Sequence, residues 1–273
     1  MRFNHSRVQA YQTCARLYFW KFVENLAPQK EAVPLLVGRA VHAGLAAHYS
    51  GKDSVPEVHE VFEHVRAGGT WFGPELEELQ KQEDYVQFLL TAYKKQWPRE
   101  PWTVLAPEVE GSVPLGDHEL FFRTDVIVSW KGHPWLLEHK TTSQLGPTFF
   151  RKFRMDGQIS TYCYGAGKAL GMRVVGAVIN AMRKSKSLDS AEFARDVVMR
   201  SERQVSEYMA SLQLVADRIS ALPTVKDAWP FSTQSCVQFN RTCDYIDLCT
   251  SDTPSVRDLF AKRPTDYVDE EVT

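Results

Sequence analysis

Three residues in the stretch RTDVIVSWKGHPWLLEHKTT have types and a spacing suited to chemistry: Asp125, Glu138 and Lys140. Val126 to Trp130 and Trp135 to Leu137 are β-prone runs, and Lys131-Gly132 between them suits a two-residue turn. That turn sets Trp130 opposite His133 and, if the register continues, Asp125 directly opposite Glu138. Directly opposed side chains leave the same sheet face with Cβ atoms about 4.5–5.5 Å apart. Two carboxylates that close repel each other unless a cation sits between them. Lys140, two residues beyond Glu138, points to the same face. The set reads as a divalent-metal site with a catalytic lysine beside it.

A longer turn would slip the register and separate the carboxylates, and an acidic pair on a hairpin can be no more than a solvated face. The flanking residues favour the site. Leu120, Phe122, Thr124, Val126, Val128 and Trp130 make one side of the strand almost continuously apolar. On the other side Arg123 and Asp125 alternate with Phe121 and Ile127, so that side is not plain solvent surface either. A partly buried carboxylate needs a partner.

The elements that must position these residues follow from periodicity. Residues 3–26 are aromatic-rich and expected to be helical, with Ser6 as N-cap. Residues 38–50 form a second expected helix ended by Gly51, and 53–100 reads as helical and amphipathic. Three strands are expected at 103–114, 119–130 and 134–140, with Gly116-Asp117 and Lys131-Gly132 as turns of an antiparallel meander. A helix over 154–171 ends at Gly171, a buried strand spans 173–182, and a long helix covers about 201–221 before Pro223. The last fifty residues read as irregular and the acidic tail after Pro264 as loose. The order helix, three strands, helix, strand implies an α/β fold: a central mixed β-sheet flanked by helices, with the outer helices as a helical cap.

Composition sets outer limits. The chain of 273 residues is 44% hydrophobic and 24% charged, ordinary for a globular protein with one large domain or a core and a subdomain. No run approaches ~18 apolar residues, so no transmembrane helix is expected. The N-terminus lacks the apolar core and cleavage site of a signal peptide, so a cytoplasmic location with reduced thiols is expected. A net charge of −2 gives no global attraction to nucleic acid. The distribution is uneven, however: Arg151 to Arg203 holds eleven basic and five acidic residues, while Glu57 to Asp84 holds eight acidic against Arg66 and Lys81. Such asymmetry permits a basic groove on an otherwise acidic protein.

Asp125 followed by Glu138-x-Lys140 on the next strand resembles the PD-(D/E)xK nuclease superfamily, and more specifically its RecB-type exonuclease branch, which includes CRISPR-adaptation and phage recombination nucleases. Gly38-Arg39-Ala40-Val41-His42 is similar to that branch's Gly-x-x-x-His helix, and Gln158-x-x-x-Tyr162 to its Gln-x-x-x-Tyr helix. These motifs span residues 38–184. The resemblance implies a restriction-endonuclease-like core over 31–222 with a helical insertion at about 53–100. It also implies an N-terminal helical segment 1–30 and a Cys-rich segment with an acidic tail over 223–273. Asp125 and Glu138 would ligate Mg2+ or Mn2+, which prefer oxygen donors, and His42 could add a nitrogen ligand. Lys140 would orient the attacking water or stabilise the transition state. Gln158 is assigned to the catalytic set and Tyr162 to substrate binding by the same resemblance. Arg151, Lys152 and Arg154, just before that helix, are placed to contact DNA phosphates.

Cys14 stands near the start, and Cys236, Cys243 and Cys249 cluster near the end with Cys-x6-Cys-x5-Cys spacing. RecB-type nucleases often hold a 4Fe–4S cluster with one N-terminal and three C-terminal cysteines, and this set is similar. Ala15 stands where the family often has proline, and the first C-terminal gap is wider than in many members. A four-cysteine zinc site would use the same ligands, and free thiols remain the plain alternative. Cys163 reads as an ordinary buried thiol.

These expectations converge on a metal-dependent DNA exonuclease of recombination or repair, engaging single strands or duplex ends. A restriction-like endonuclease and a non-catalytic nucleic-acid-binding module with a structural four-cysteine metal site are the alternatives. No Gly-x4-Gly-Lys-Ser/Thr loop is present, so any motor would come from a separate helicase partner, and a strand-annealing partner is equally compatible.

Overall fold

The computed structural model describes residues 1–69, 71–185, 187–238 and 241–263. The expected tail after Pro264 lies outside them. In chain order the first elements are strand β1 (Arg2–Phe3), helices α1 (His5–Thr13) and α2 (Ala15–Tyr18), a π-turn (Phe19–Val23) and β2 (Leu26–Pro28). Helices α3 (Val33–Tyr49), α4 (Ser54–Ala67) and α5 (Gly73–Gln96) follow. Next come β3 (Thr103–Leu115), β4 (His118–Trp130), β5 (His133–Thr142), α6 (Pro147–Arg151), a 3-10 turn (Lys152–Met155) and α7 (Gly157–Leu170). The chain continues through β6 (Gly176–Lys184), β7 (Ala191–Met199) and α8 (Glu202–Ser220). The last described part holds β8 (Val237–Gln238), β9 (Arg241–Thr242), α9 (Ile246–Thr250), α10 (Pro254–Arg257) and β10 (Phe260–Lys262). No helix among the described residues is long and apolar enough to cross a membrane.

Two compact units emerge. Among the described residues, one comprises Met1–Glu31, Pro114–Leu120 and 209–263; the other comprises Ala32–Val113 and Phe121–Tyr208. In the first unit, β1 runs parallel to the opening residues of β4, and β2 pairs antiparallel with β10. The C-terminal stretch expected to be irregular therefore carries the β8–β9 pair, strand β10, which pairs with β2, and the short helices α9 and α10. The single helix expected over 3–26 is broken at Cys14, whose backbone is extended, and its N-cap is Asn4 rather than Ser6. Asn4 accepts the Arg7 amide at 2.9 Å, satisfying a first-turn donor one residue before the helix begins.

The second unit holds the mixed sheet. β3 pairs with β4, β4 is antiparallel to β5, β5 is parallel to β6, and β6 is antiparallel to β7. Between β4 and β5, Lys131 and Gly132 both have positive φ, +52° and +79°. A two-residue hairpin turn of this hand requires that and matches the strands' twist. Val126 and Val128 pack with Trp135, Leu137 and Val178 to form one apolar face. On the helical side, Leu36, Val41 and Leu45 of α3 bury against Val58, Phe62, Leu89 and Leu90 of α4 and α5. Helix α7 approaches β4 closely because residue 165 is glycine: a Cβ there would lie 2.3 Å from Phe122 Cδ1. The first turn of α7 reaches β5 through Gln158, whose Oε1 accepts Lys140 Nζ at 2.6 Å.

Candidate active site

The hairpin ladder runs from Trp130–His133 to Val126–Leu137, in the register the turn predicts. It ends one step short of the position where Asp125 and Glu138 were expected to stand directly opposed. There the strands part, and Asp125 Oδ2 accepts the backbone N–H of His139 at 2.7 Å. A carboxylate makes a stronger acceptor than the peptide carbonyl it replaces, so the ladder gives way to a charge-assisted bond. The other oxygen, Oδ1, lies 2.9 Å from Nδ1 of His42 on α3.

Glu138 is 1% exposed and Lys140 is 7% exposed. Glu138 Oε1 lies 2.9 Å from Lys140 Nζ. Its second oxygen, Oε2, is buried with no hydrogen-bond partner. Lys140 Nζ also donates to Gln158 Oε1 at 2.6 Å, so the ammonium is held between a carboxylate and an amide oxygen. Gln158 Nε2 donates to the Tyr162 hydroxyl at 2.9 Å, which fixes the amide's orientation. Both side chains belong to α7, whose first turn is capped by Asp156: Oδ1 accepts the amides of Gln158 at 2.8 Å and Ile159 at 3.3 Å.

Titration behaviour follows from this packing. Burial pushes the Glu138 carboxyl up to about 7; Lys140 opposes the shift and the Asp125 charge adds to it. For Asp125, burial acts upward, but the charge and hydrogen bond of His42, with help from His139, hold it well below the usual carboxylate range. Burial works against a charged His42, yet Asp125 and Glu138 together raise its pKa. The two acids are thus driven apart, one firmly ionised and the other poised near neutrality.

Behind the strands, His139 faces away from Glu138 and Lys140. Its ring stacks on Tyr49 at 5.5 Å and its Nδ1 is 2.8 Å from Asn180 Nδ2. Arg195 donates to Asn180 Oδ1 at 3.0 Å and forks onto both Glu100 oxygens at 2.7 Å. Burial lowers the His139 pKa to about 3. This neutral imidazole and its polar backing set the position of the strand whose amide holds Asp125.

His42, Asp125, Glu138, Lys140, Gln158 and Tyr162 are therefore brought together, with Tyr162 buried beneath Gln158 at 2% exposure. Arg151, Lys152 and Arg154 are exposed on α6 and the 3-10 turn. Lys152 Nζ sits over the rings of Phe149 and Phe153, at 4.3 and 4.8 Å. Partial burial lowers its pKa, and the charge of Lys140 contributes, which sets it within electrostatic reach of the site. Sequence reasoning missed Asp156, His139 and the Asn180–Arg195 backing. An Asp just before a helix-like run is a cap signal that marks Asp156; His139 reads only as a spacer between Glu138 and Lys140.

Among the described residues, no three His, Cys, Asp or Glu side chains are grouped to ligate one ion as they stand. His42 and Asp125 engage each other, and Glu138 engages Lys140. The donor set nevertheless fits a hard divalent cation. Buried Glu138 and partly exposed Asp125 repel each other, and one Glu138 oxygen is left orphaned.

In the other unit, the four expected cluster cysteines lie within reach of one another's charge. Cys243 senses Cys249 and Cys14, and Cys249 senses Cys14 and Cys236. Cys14 Sγ accepts the Ser232 amide at 3.3 Å, and Cys249 Sγ accepts the Trp20 indole N–H at 3.3 Å. Burial raises the Cys243 and Cys249 thiols. N–H donors already aimed at sulfur suit thiolate ligands of a cluster. Cys163 belongs to the unit that holds the mixed sheet, and burial pushes its thiol up to about 12.

The family's sequence pattern matches residues 2–250, and the chain belongs to the PD-(D/E)XK nuclease superfamily. Its members usually use Mg2+ or Mn2+. The solved structure of a candidate exonuclease from Eubacterium rectale is similar over 91% of this chain and 92% of that one, at 12% identity and a TM-score of 0.52. At that identity the likeness establishes the fold, a restriction-endonuclease-like α/β core. A structure of the protein SSO0001 aligns over 67% of this chain and 73% of its own, with 12% identity and a TM-score of 0.28. No curated protein matches the chain in sequence.

Proposed function

We propose that this nuclease-superfamily protein is a divalent-metal-dependent DNA exonuclease of recombination or repair. The observation that carries the reading is the buried trio Glu138, Lys140 and Gln158 with the partly exposed Asp125 beside it. Nothing about stability alone calls for a buried Glu138 with an orphaned oxygen next to a second carboxylate. Asp125 and Glu138 would hold Mg2+ or Mn2+, with His42 as a further ligand once it has given up its proton. The bound cation would lower the pKa of water and offset charge on the scissile phosphate.

The remaining steps belong to the chain. Glu138, in its ionised form, would share its charge between Lys140 and the cation, its orphaned Oε2 being the oxygen open to a metal. Lys140, kept in place by Gln158, then directs its N–H groups at the attacking water or at the phosphoryl oxygens. Tyr162 acts by fixing Gln158. Lys152, with Arg151 and Arg154 beside it, offers the approaching strand a row of phosphate contacts.

Cys14, Cys236, Cys243 and Cys249 hold a 4Fe–4S cluster in this reading. Anaerobically purified protein is then brown, absorbs near ~400 nm and contains iron and sulfide; colourless protein carrying one zinc ion would refute it.

The activity is tested with end-labelled linear DNA and covalently closed circles, each with Mg2+ or Mn2+. Loss of linear but not circular DNA supports the exonuclease. Linearisation of circles would favour the endonuclease reading instead, and DNA retention without hydrolysis the binding module.

A further inference from the structure

Arg200 lies at the junction of β7 and α8 and is 3% exposed. Its Nη2 donates to the Phe153 carbonyl at 2.8 Å and the Asp156 carbonyl at 3.0 Å. Its Nε donates to Ser160 Oγ at 3.0 Å and its Nη1 to the Met199 carbonyl at 3.1 Å. No carboxylate forms an ion pair with it among the described residues. The Asp156 carboxylate acts on it only through charge and is committed to the α7 amides. Burying a guanidinium without a paired carboxylate is a costly route to stability, and an apolar side chain of similar size serves that end as well.

What the guanidinium does that no apolar side chain can is grip two carbonyls at a fixed separation. Those two carbonyls bracket the turn from the Lys152–Met155 segment into α7. The same turn carries the Asp156 cap, which decides where the first residues of α7 stand. Gln158 is one of them, and it holds Lys140 Nζ at 2.6 Å. Ser160 fastens the same guanidinium to the next residues of the helix. We infer that Arg200 is a positioning residue for Lys140, acting through the turn 153–156 and Gln158.

This inference rests on the proposed role of Lys140, and its test keeps the two separable. Arg200→Lys, Arg200→Met, Gln158→Ala and the double variant R200K/Q158A are compared, each checked for a cooperative thermal melt. If R200M fails to fold, R200K decides, because its single ammonium nitrogen keeps the charge but cannot serve at once the four acceptors that the guanidinium fork spans. The expected result is a fall in kcat on the order of ten- to a hundredfold, the size of effect that sub-ångström misplacement produces. KM for DNA should stay within about twofold, and R200K should cost nothing further in the Q158A background. A second readout needs no activity: amine labelling of Lys140, followed by mass spectrometry, should rise in R200K and Q158A alike while that of exposed Lys95 does not. Unchanged kcat and unchanged Lys140 labelling in R200K would overturn the inference, as would losses that multiply with Q158A. An inactive wild type whose Lys140 labelling still depends on Arg200 would refute the nuclease reading and leave the positioning in place.

Discussion

Replacing Glu138 with glutamine should stabilise the metal-free protein while removing its activity. Burial moves the Glu138 carboxyl from an ordinary 4.5 to about 7. A pKa raised on folding contributes stability below the unfolded value that is lost as pH rises through the folded value. Well below 4.5 the group is protonated in both states; as pH climbs towards 7 the unfolded chain ionises first, and the fold is penalised. Each pH unit in that window is worth ~1.4 kcal/mol, so the penalty is about 1 kcal/mol at pH 5 and about 3 kcal/mol at pH 8. Glutamine keeps the shape and the acceptor for Lys140 but carries no charge. For a chain of this size ~1 kcal/mol moves Tm by about 2–4 °C. E138Q should therefore melt about 6–12 °C above wild type at pH 8 in EDTA, with a gap of about 2–4 °C at pH 5. Comparing variant with wild type cancels other groups, such as His139, whose depressed pKa acts in the opposite sense over an overlapping range. Saturating Mn2+ should reverse the order, because only wild type gains the binding energy. The assay is thermal denaturation followed by circular dichroism across pH 5 to 8. A variant less stable than wild type at pH 8 in EDTA, or a gap that ignores pH, would refute the reasoning.

Two further outcomes follow from the surroundings of the site. Arg195→Met should cost about 3 kcal/mol, because it leaves the Glu100 carboxylate it grips at 2.7 Å with only the Tyr49 hydroxyl as donor; adding Glu100→Gln should recover part of that loss, and chemical denaturation of the single and double variants measures both. Gly165→Ala should destabilise by about 1–3 kcal/mol, since its Cβ would fall 2.3 Å from the fully buried Phe122 ring, and should slow catalysis by tilting α7; equal urea midpoints for variant and wild type would contradict this.

The hairpin was legible in the sequence because its turn chemistry and period-two alternation agree, and the ladder confirms that register from Trp130 to Val126. The point where the ladder stops was not legible. It depends on the Asp125 carboxylate capturing a backbone amide, a competition no residue pattern displays. Strand β7 was missed because Ala191–Met199 is an edge strand that carries Glu192, Arg195 and Asp196, leaving a weak apolar alternation. Gln158 and His42 came from family resemblance, whereas Arg200 has no local signature. Its meaning arises only when the end of β7 meets the turn before α7, and such long-range contacts leave no spacing to read.

In the proposed function Asp125, Glu138 and Lys140 form a metal-dependent hydrolytic centre. The most direct measurement is release of acid-soluble nucleotides from linear duplex and single-stranded DNA by wild type, Asp125→Asn and Lys140→Met, with Mg2+, with Mn2+ and with EDTA. Wild type should hydrolyse DNA only when a divalent cation is supplied, and both variants should lose on the order of a hundredfold or more. Hydrolysis in EDTA, or variants as active as wild type, would contradict that proposal.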